Sequence, residues 1–318
     1  MKLKQLHDFL VNEGINADPR GKKEIDSMLE ENKKNYKELK EEEKELFDKE
    51  SLWNPYPDTR VLYGKEDKNI KKIFIGIDME GEELLLADRL NEKGEKIDLV
   101  LAHHPEGKAL ATLYSVMHMQ EEILHQAGVP INVAEGIMRE RIGEVERGLS
   151  AVNHRRSVDI ARLLKIPLMC CHTASDNHVV QFIRELLEKK KPQKVKDLMN
   201  ILLNIPEYRF AAMNGAGPKI FIGSEENRCG KIYVDMTGGT EPAKEVYEKL
   251  VQAGIGTVVG MHLSSEHKKE AEKNKFNYVV AGHISSDSIG LNLLLDKLER
   301  KGKFQFIEGS GFKRVRRK

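Results

Sequence analysis

The chain has 318 residues with 52 basic against 51 acidic side chains, and a formal charge of +1 gives no electrostatic case for nucleic acid or an anionic membrane surface. A hydrophobic content of 40% is enough for a large core, and at about 150 residues per domain the length implies two lobes. No run of about 18 apolar residues occurs and the start, "MKLKQLHDFLVNEG", lacks the apolar centre of a signal peptide, which predicts a cytoplasmic protein with no membrane partner.

Residues 22–50 set Ile25, Met28, Leu29, Tyr36, Leu39, Leu46 and Phe47 near helical spacing among charges. This predicts a long amphipathic helix, read more readily as packed on its own domain than as a dimerisation arm. The Pro-punctuated "WNPYPDTRVLYG" reads as a connector closing an N-terminal helical extension over 1–70. From residue 72 short β-branched runs alternate with helical stretches, the texture of α/β units with parallel or mixed sheets. Strands are predicted near 72–78, 97–102 and 167–171, in a first α/β lobe over 71–190. The adjacent Cys170 and Cys171 cannot easily bridge each other and Cys229 has no obvious partner, so no disulfide framework is expected. Pro192 and Pro206 interrupt two helix-like pieces, a predicted helical connector over 191–218. Strands near 219–223, 231–235, 256–261, 278–282 and 303–307 follow, in a second α/β lobe over 219–318.

The two lobes carry an internal similarity. "FIGIDMEGEELLLADRLNEKGEKIDLVLAHH" (74–104) lies against "KIYVDMTGGTEPAKEVYEKLVQAGIGTVVGMH" (231–262), each a strand ending in Asp-Met, a Gly-containing turn, a helix and an apolar strand ending at His. Asp78 corresponds to Asp235. A β-turn-α-β unit used twice puts polar residues where strands end and loops begin.

Three apolar strands run directly into imidazole or carboxylate: "LVLAHHPEG" with His103 and His104, "PLMCCHTASD" with His172 and Asp176, and "YVVAGHISSD" with His283 and Asp287. Neighbouring strand residues point to opposite faces, so both His103 and His104 face one site only if the backbone turns, which Pro105 favours. Imidazole with carboxylate suits zinc, manganese, iron, cobalt or nickel, and the lack of clustered Cys argues against a structural zinc knot. A pair of such ions would activate a water at neutral pH.

These motifs, in this order, resemble the signature of the Nif-three-like family, named for the NGG-one-interacting factor and often labelled GTP cyclohydrolase I type two. "VDMTGGTEP" and the segment from Gly256 to His283 are similar to the family as well, and the match runs over about residues 70–300. The resemblance implies two related α/β lobes with mixed sheets around a dinuclear metal cleft, commonly assembled as a homo-oligomeric, ring-shaped hexamer. Carried over by motif, the ligands are His103, His104, Asp176, His283 and Asp287, with His172 behind them in support. One residue departs from the pattern: the family usually has Glu where this chain has Asp287, shorter by one methylene or roughly 1.5 Å of reach.

Other residues carry two readings each. His118 and Glu122 read as an ordinary surface pair, whereas His262, at a strand end and one turn from Glu266, and Glu106, after the His pair, are candidates for catalytic proton transfer. Asp78 and Asp235 either orient an imidazole or cap the following helices, and capping is favoured. "MTGGTEP" either cradles phosphate or only connects, and the terminal "KRVRRK" reads as a solvated end. The function expected is a metal-dependent hydrolase acting on a small nucleotide-like, phosphoester or cyclic amide substrate. The alternative is a non-catalytic metal-binding regulatory or scaffold protein.

Overall fold

The computed structural model describes residues 1–317. Helices α1 (Leu3–Ala17), α2 (Lys22–Glu38) and α3 (Glu41–Leu46) lead through a 3-10 turn to strand β1 (Thr59–Tyr63). Then come β2 (Lys72–Gly76), α4 (Gly81–Glu92), β3 (Leu99–Ala102), five helices α5 (Gly107–Ala111), α6 (Leu113–Val116), α7 (Met119–Ala127), α8 (Ile131–Ser150) and α9 (Arg156–Leu164), β4 (Leu168–Cys171) and α10 (Thr173–Lys190). Helices α11 (Val195–Leu203) and α12 (Pro206–Met213) lead to β5 (Lys219–Ile222), β6 (Lys231–Asp235), α13 (Val246–Gln252), β7 (Ile255–Gly260), α14 (Ser265–Asn274), β8 (Asn277–Val280), α15 (His283–Glu299) and β9 (Gln305–Glu308).

The strands form two mixed sheets, ordered β1-β4-β3-β2-β9 and β5-β8-β7-β6. In each, one edge strand is antiparallel, β1 on β4 and β5 on β8, and the rest are parallel. "LVLA" and "LMCC" are buried at every position because helices cover both faces of the first sheet, which selects continuous apolar runs over alternation. The repeated unit is observed as β2-α4-β3 and β6-α13-β7, each a parallel pair joined through a helix.

Two sheet memberships cut across the expected divisions at 70 and 219. Residues 59–63, expected within a connector, form β1 and pair with β4, Thr59 opposite Cys171. The prolines of "NPYP" end just before a β-branched run that is free to join a sheet edge. The strand expected near 303–307 returns to the first sheet, with Gln305 opposite Lys72. The N-terminal extension is likewise part of the body: α1 buries Leu3, Leu6, Leu10 and Val11 and crosses α10 so closely that a Cβ on Gly14 would lie 2.6 Å from Ala174 Cβ. The amphipathic stretch breaks into α2 and α3 and folds back on its own chain, where Asn32 Nδ2 donates to Ser51 O (3.1 Å) and the Tyr36 and Phe47 rings meet at 4.9 Å.

One hydrophobic cluster runs from Leu3 and Tyr56 through Ile73 and Leu99 of the first sheet to Val258 and Tyr278 of the second and on to Leu294 and Phe312. The two sheets therefore share a core. The basic tail is not a loose solvated end: Arg314 is buried and pairs with Asp296 and Glu299, and Arg317 reaches Glu207 (2.8 Å). Cys170, Cys171 and Cys229 are free and buried. Among the described residues no helix is long and apolar enough to cross a membrane.

Candidate metal centre

Parallel strands deliver their C-terminal ends to one place, and loops there gather polar groups. At the end of β3 the backbone turns as expected: His103 N donates to Gly76 O (3.0 Å) and His104 N to Ile77 O (2.9 Å), which carries both imidazoles to the same side. The end of β4 supplies His172, and α10 begins at once, so that Asp176 falls one turn later on the same helix face. The second sheet repeats this device where β8 runs into α15, with His283 and Asp287 again four residues apart.

All five expected ligands converge. His103 Nε2 lies 3.4 Å from Asp176 Oδ1 and 3.5 Å from Asp287 Oδ1. His104 Nε2 and His283 Nε2 lie 3.5 and 3.8 Å from Asp287 Oδ2. Donor atoms of His103, Asp176 and Asp287 form one group within 4.8 Å of one another, and those of His104, His283 and Asp287 form a second, so Asp287 belongs to both.

The chemistry of this set fits a cation. Both ring nitrogens of His103, Oδ1 of Asp176 and both carboxylate oxygens of Asp287 are buried without a hydrogen-bond partner. Orphaned polar atoms at this density are costly unless something unites them. Two donors each about 2.1 Å from a tetrahedral ion lie roughly 3.4 Å apart, close to the spacings seen and longer than a good hydrogen bond. The charges pull against one another. Burial pushes His103 down to about 4 against the attraction of Asp287. Burial also works against a charged His104, but Asp287 and then Asp78 raise it to about 9. Asp287 is held well below the usual carboxylate range: burial opposes this, and His103, His104 and His283 outweigh it. Asp176 is driven up by burial and by the neighbouring Asp287 and Asp58 charges.

Carboxylates behind the imidazoles fix their orientation. Asp78 does not cap α4, whose N-cap is Glu80; its Oδ1 accepts from His104 Nδ1 (2.6 Å), the less favoured of its two sequence readings. Asp58, in the segment expected to be a connector, accepts from His172 Nδ1 (2.9 Å) and from Thr173 Oγ1 (2.6 Å). His262 pairs with Glu241 (Nδ1 to Oε1, 3.0 Å) and not with Glu266, whose partner is Lys244. Glu241 is held down at about 2: burial opposes this, while His262, His267 and the Ser264 N–H outweigh it. Sequence reasoning missed Asp58 and Glu241, since each sits in a Pro- or Gly-containing turn with no local pattern to mark it.

Beside the cluster opens a cleft of about 310 Å³ whose lining includes Glu80, His104, Glu106, Thr240 and His262. Burial pushes the Glu106 carboxyl up, partly offset by the Ser157 hydroxyl. The Gly-Gly turn forms part of this wall and is held from behind, with Gln120 Nε2 donating to Gly238 O (2.5 Å) and Thr240 O (2.8 Å). No helix begins there until Val246, so it has no helix N-terminus to offer a phosphate. His118 pairs with Glu121 on the surface. A larger groove of about 550 Å³, between α7, α10 and β6, contains none of the candidate residues, so donor chemistry and not size identifies the site.

No family model matches the chain. No curated protein matches it either. Among solved structures, a NIF3 superfamily protein from Sphaerobacter thermophilus aligns with TM-score 0.70 and 28% identity, over 80% of this chain and 91% of that one. Reduced HcgD from Methanocaldococcus jannaschii aligns with TM-score 0.50 and 17% identity, over 84% and 94%, a likeness of fold alone. With the His-His-Pro, His-Thr and Ala-Gly-His motifs gathered at the ends of β3, β4 and β8 of that shared fold, the chain is similar to the NIF3 superfamily in fold and in motif order.

Proposed function

We propose that this chain binds a pair of divalent cations and hydrolyses a small nucleotide-like, phosphoester or cyclic amide substrate. The observation that carries the reading is the set of unpartnered buried donor atoms on His103, Asp176 and Asp287, which His104 and His283 extend toward the cleft. Asp287 offers Oδ1 toward His103 and Oδ2 toward His104 and His283, so the shorter side chain still reaches both groups. The nitrogen and oxygen donors suit zinc, manganese, iron, cobalt or nickel. A bound divalent pair supplies Lewis acidity and an activated water.

The chain's own residues do the rest. His103, Asp176 and Asp287 would hold one cation and His104, His283 and Asp287 a second. Glu106 and His262 line the cleft and are the residues proposed to move protons. His262 would take up and release the proton at Nε2, since its Nδ1–H is donated to Glu241. An open cleft favours turnover over the scaffold alternative, which needs only a filled centre and a partner surface. A homo-oligomer, with a hexamer as the specific form, belongs to the same proposal; the exposed Leu85, Leu86 and Leu163 support self-association, and sedimentation of a lone monomer at micromolar concentration would reject it.

The test is to load the purified chain with each cation in turn, measure bound metal, and screen nucleotides, phosphoesters and cyclic amides against His103→Ala and His104→Ala controls. Turnover that both variants lose supports the hydrolase. Full metal loading without turnover on any class favours the scaffold, and failure to take up metal rejects both.

A further inference from the structure

The Nif-three-like resemblance leaves His172 outside the ligand set, yet the site does not. Donor atoms of His103, His104 and His172 form a third group within 4.8 Å of one another. The His172 ring centroid is 5.0 Å from that of His103 and 5.9 Å from that of His104. Its Nδ1 is committed to Asp58 Oδ2 at 2.9 Å, which leaves Nε2 facing the cluster. From there Asp176 Oδ2 is 3.7 Å away, beyond hydrogen-bond range.

The support behind this imidazole is built and buried. Asp58 is fully buried and His172 is 6% exposed. Thr173 Oγ1 and Thr59 Oγ1 both donate to the Asp58 carboxylate (2.6 and 3.4 Å), and His172 N donates to Thr59 Oγ1 (3.1 Å). A metal-ligating histidine characteristically gives its second N–H to a carboxylate, which fixes the tautomer and aims the free nitrogen. His104 with Asp78 already has that arrangement in this site, and His172 with Asp58 repeats it.

We propose that His172 is a further metal donor of this chain, aimed by Asp58, so that the segment before β1 completes the centre. The inference rests on the metal-binding reading above and adds a nitrogen donor where Asp287 replaces the usual Glu. It also gives the N-terminal extension a chemical role, since Asp58 comes from the part of the chain that the motifs do not cover.

The probe is cobalt(II) alone, titrated into the full chain, with visible absorption and X-ray absorption reading the donor set. His172→Ala is expected to lose one imidazole from the metal's scattering shell. Asp58→Asn, which keeps the size of the side chain, is expected to weaken cobalt affinity about 10- to 100-fold. Should His172→Ala fail to fold, as judged by melting in chelator, Asp58→Asn carries the test. If the wild-type chain binds cobalt and the variants keep its spectrum and affinity, this inference is overturned while the proposed function stands. If the wild-type chain binds none, the metal reading itself falls. A purely structural role for His172 would lower the melting temperature and leave the scattering shell unchanged.

Discussion

Asp78, Asp58 and Glu241 perform one operation on three different imidazoles: each occupies Nδ1 and leaves Nε2 for the cleft. Asp78→Asn keeps the shape but removes the charge that aims His104, so metal affinity is expected to fall about 10- to 100-fold, read by competition with a chelating dye. Glu241 gives a pH-dependent counterpart. Its carboxyl stands at about 2 against an ordinary 4.5, so the stability it contributes is present above pH 4.5 and is lost as pH falls from there toward 2. His262 is raised, by the Glu241 hydrogen bond above all and against burial, so its share is complete below 6.5 and is lost as pH rises through the folded value. The pair is therefore strongest between about pH 4.5 and 6.5. In Glu241→Gln the melting temperature should lie below wild type in that window, with the gap narrowing steadily as pH falls from 4.5 toward 2; a gap that stays constant would remove the charge from the explanation. Apolar strands running into His or Asp were visible in the sequence as local pattern, and their selection as a ligand set came from the family resemblance. The supporting carboxylates were not visible, because Asp58 meets His172 across 114 positions.

The helices that carry the carboxylates are held by a close crossing. Gly290 of α15 sits against Ser175 of α10, and a Cβ there would come 2.5 Å from both Ser175 O and Ser175 Oγ. Ser175 precedes Asp176, and Gly290 is three residues past Asp287, so this contact sets how far apart the two carboxylates stand. Gly290→Ala is expected to cost about 1–3 kcal/mol by overpacking and to weaken metal binding as well, checked by urea denaturation and cobalt titration. Gly136, in the exposed middle of α8 with nothing within 4 Å of a built Cβ, is the contrast: Gly136→Ala should stabilise by about 0.5–1 kcal/mol through helix propensity alone and leave the metal untouched. Most strands were readable from apolar runs, since burial on both faces demands them. What sequence did not yield was membership: β1 and β9 join the first sheet by pairing with β4 and β2 from opposite ends of the chain, and hydropathy carries no information about partners.

At the scale of the whole molecule, the ends of the chain are structural parts of the site's scaffold. Tyr56 OH donates to Asp18 Oδ2 (2.7 Å), Asn177 Nδ2 donates to Tyr56 OH (3.1 Å), and Thr237 Oγ1 of the second lobe donates to Asn177 Oδ1 (2.7 Å). This chain of contacts passes from the N-terminal segment through the residue after Asp176 and across to the other sheet, inside a shared core. An appended extension would unfold on its own, because weakly packed units open below the global free energy. An integrated one cannot. The single tryptophan, Trp53, separates these cases: it lies in the N-terminal segment with the His7 ring at 5.1 Å and Lys4 Nζ 4.2 Å over its face, so its fluorescence reports that segment, while far-UV circular dichroism reports the whole. The two signals are expected to lose amplitude at the same denaturant concentration, the mark of one cooperative unit. A fluorescence transition that clearly precedes the dichroism change would mean that the segment detaches first, taking Asp58 and the support of His172 with it.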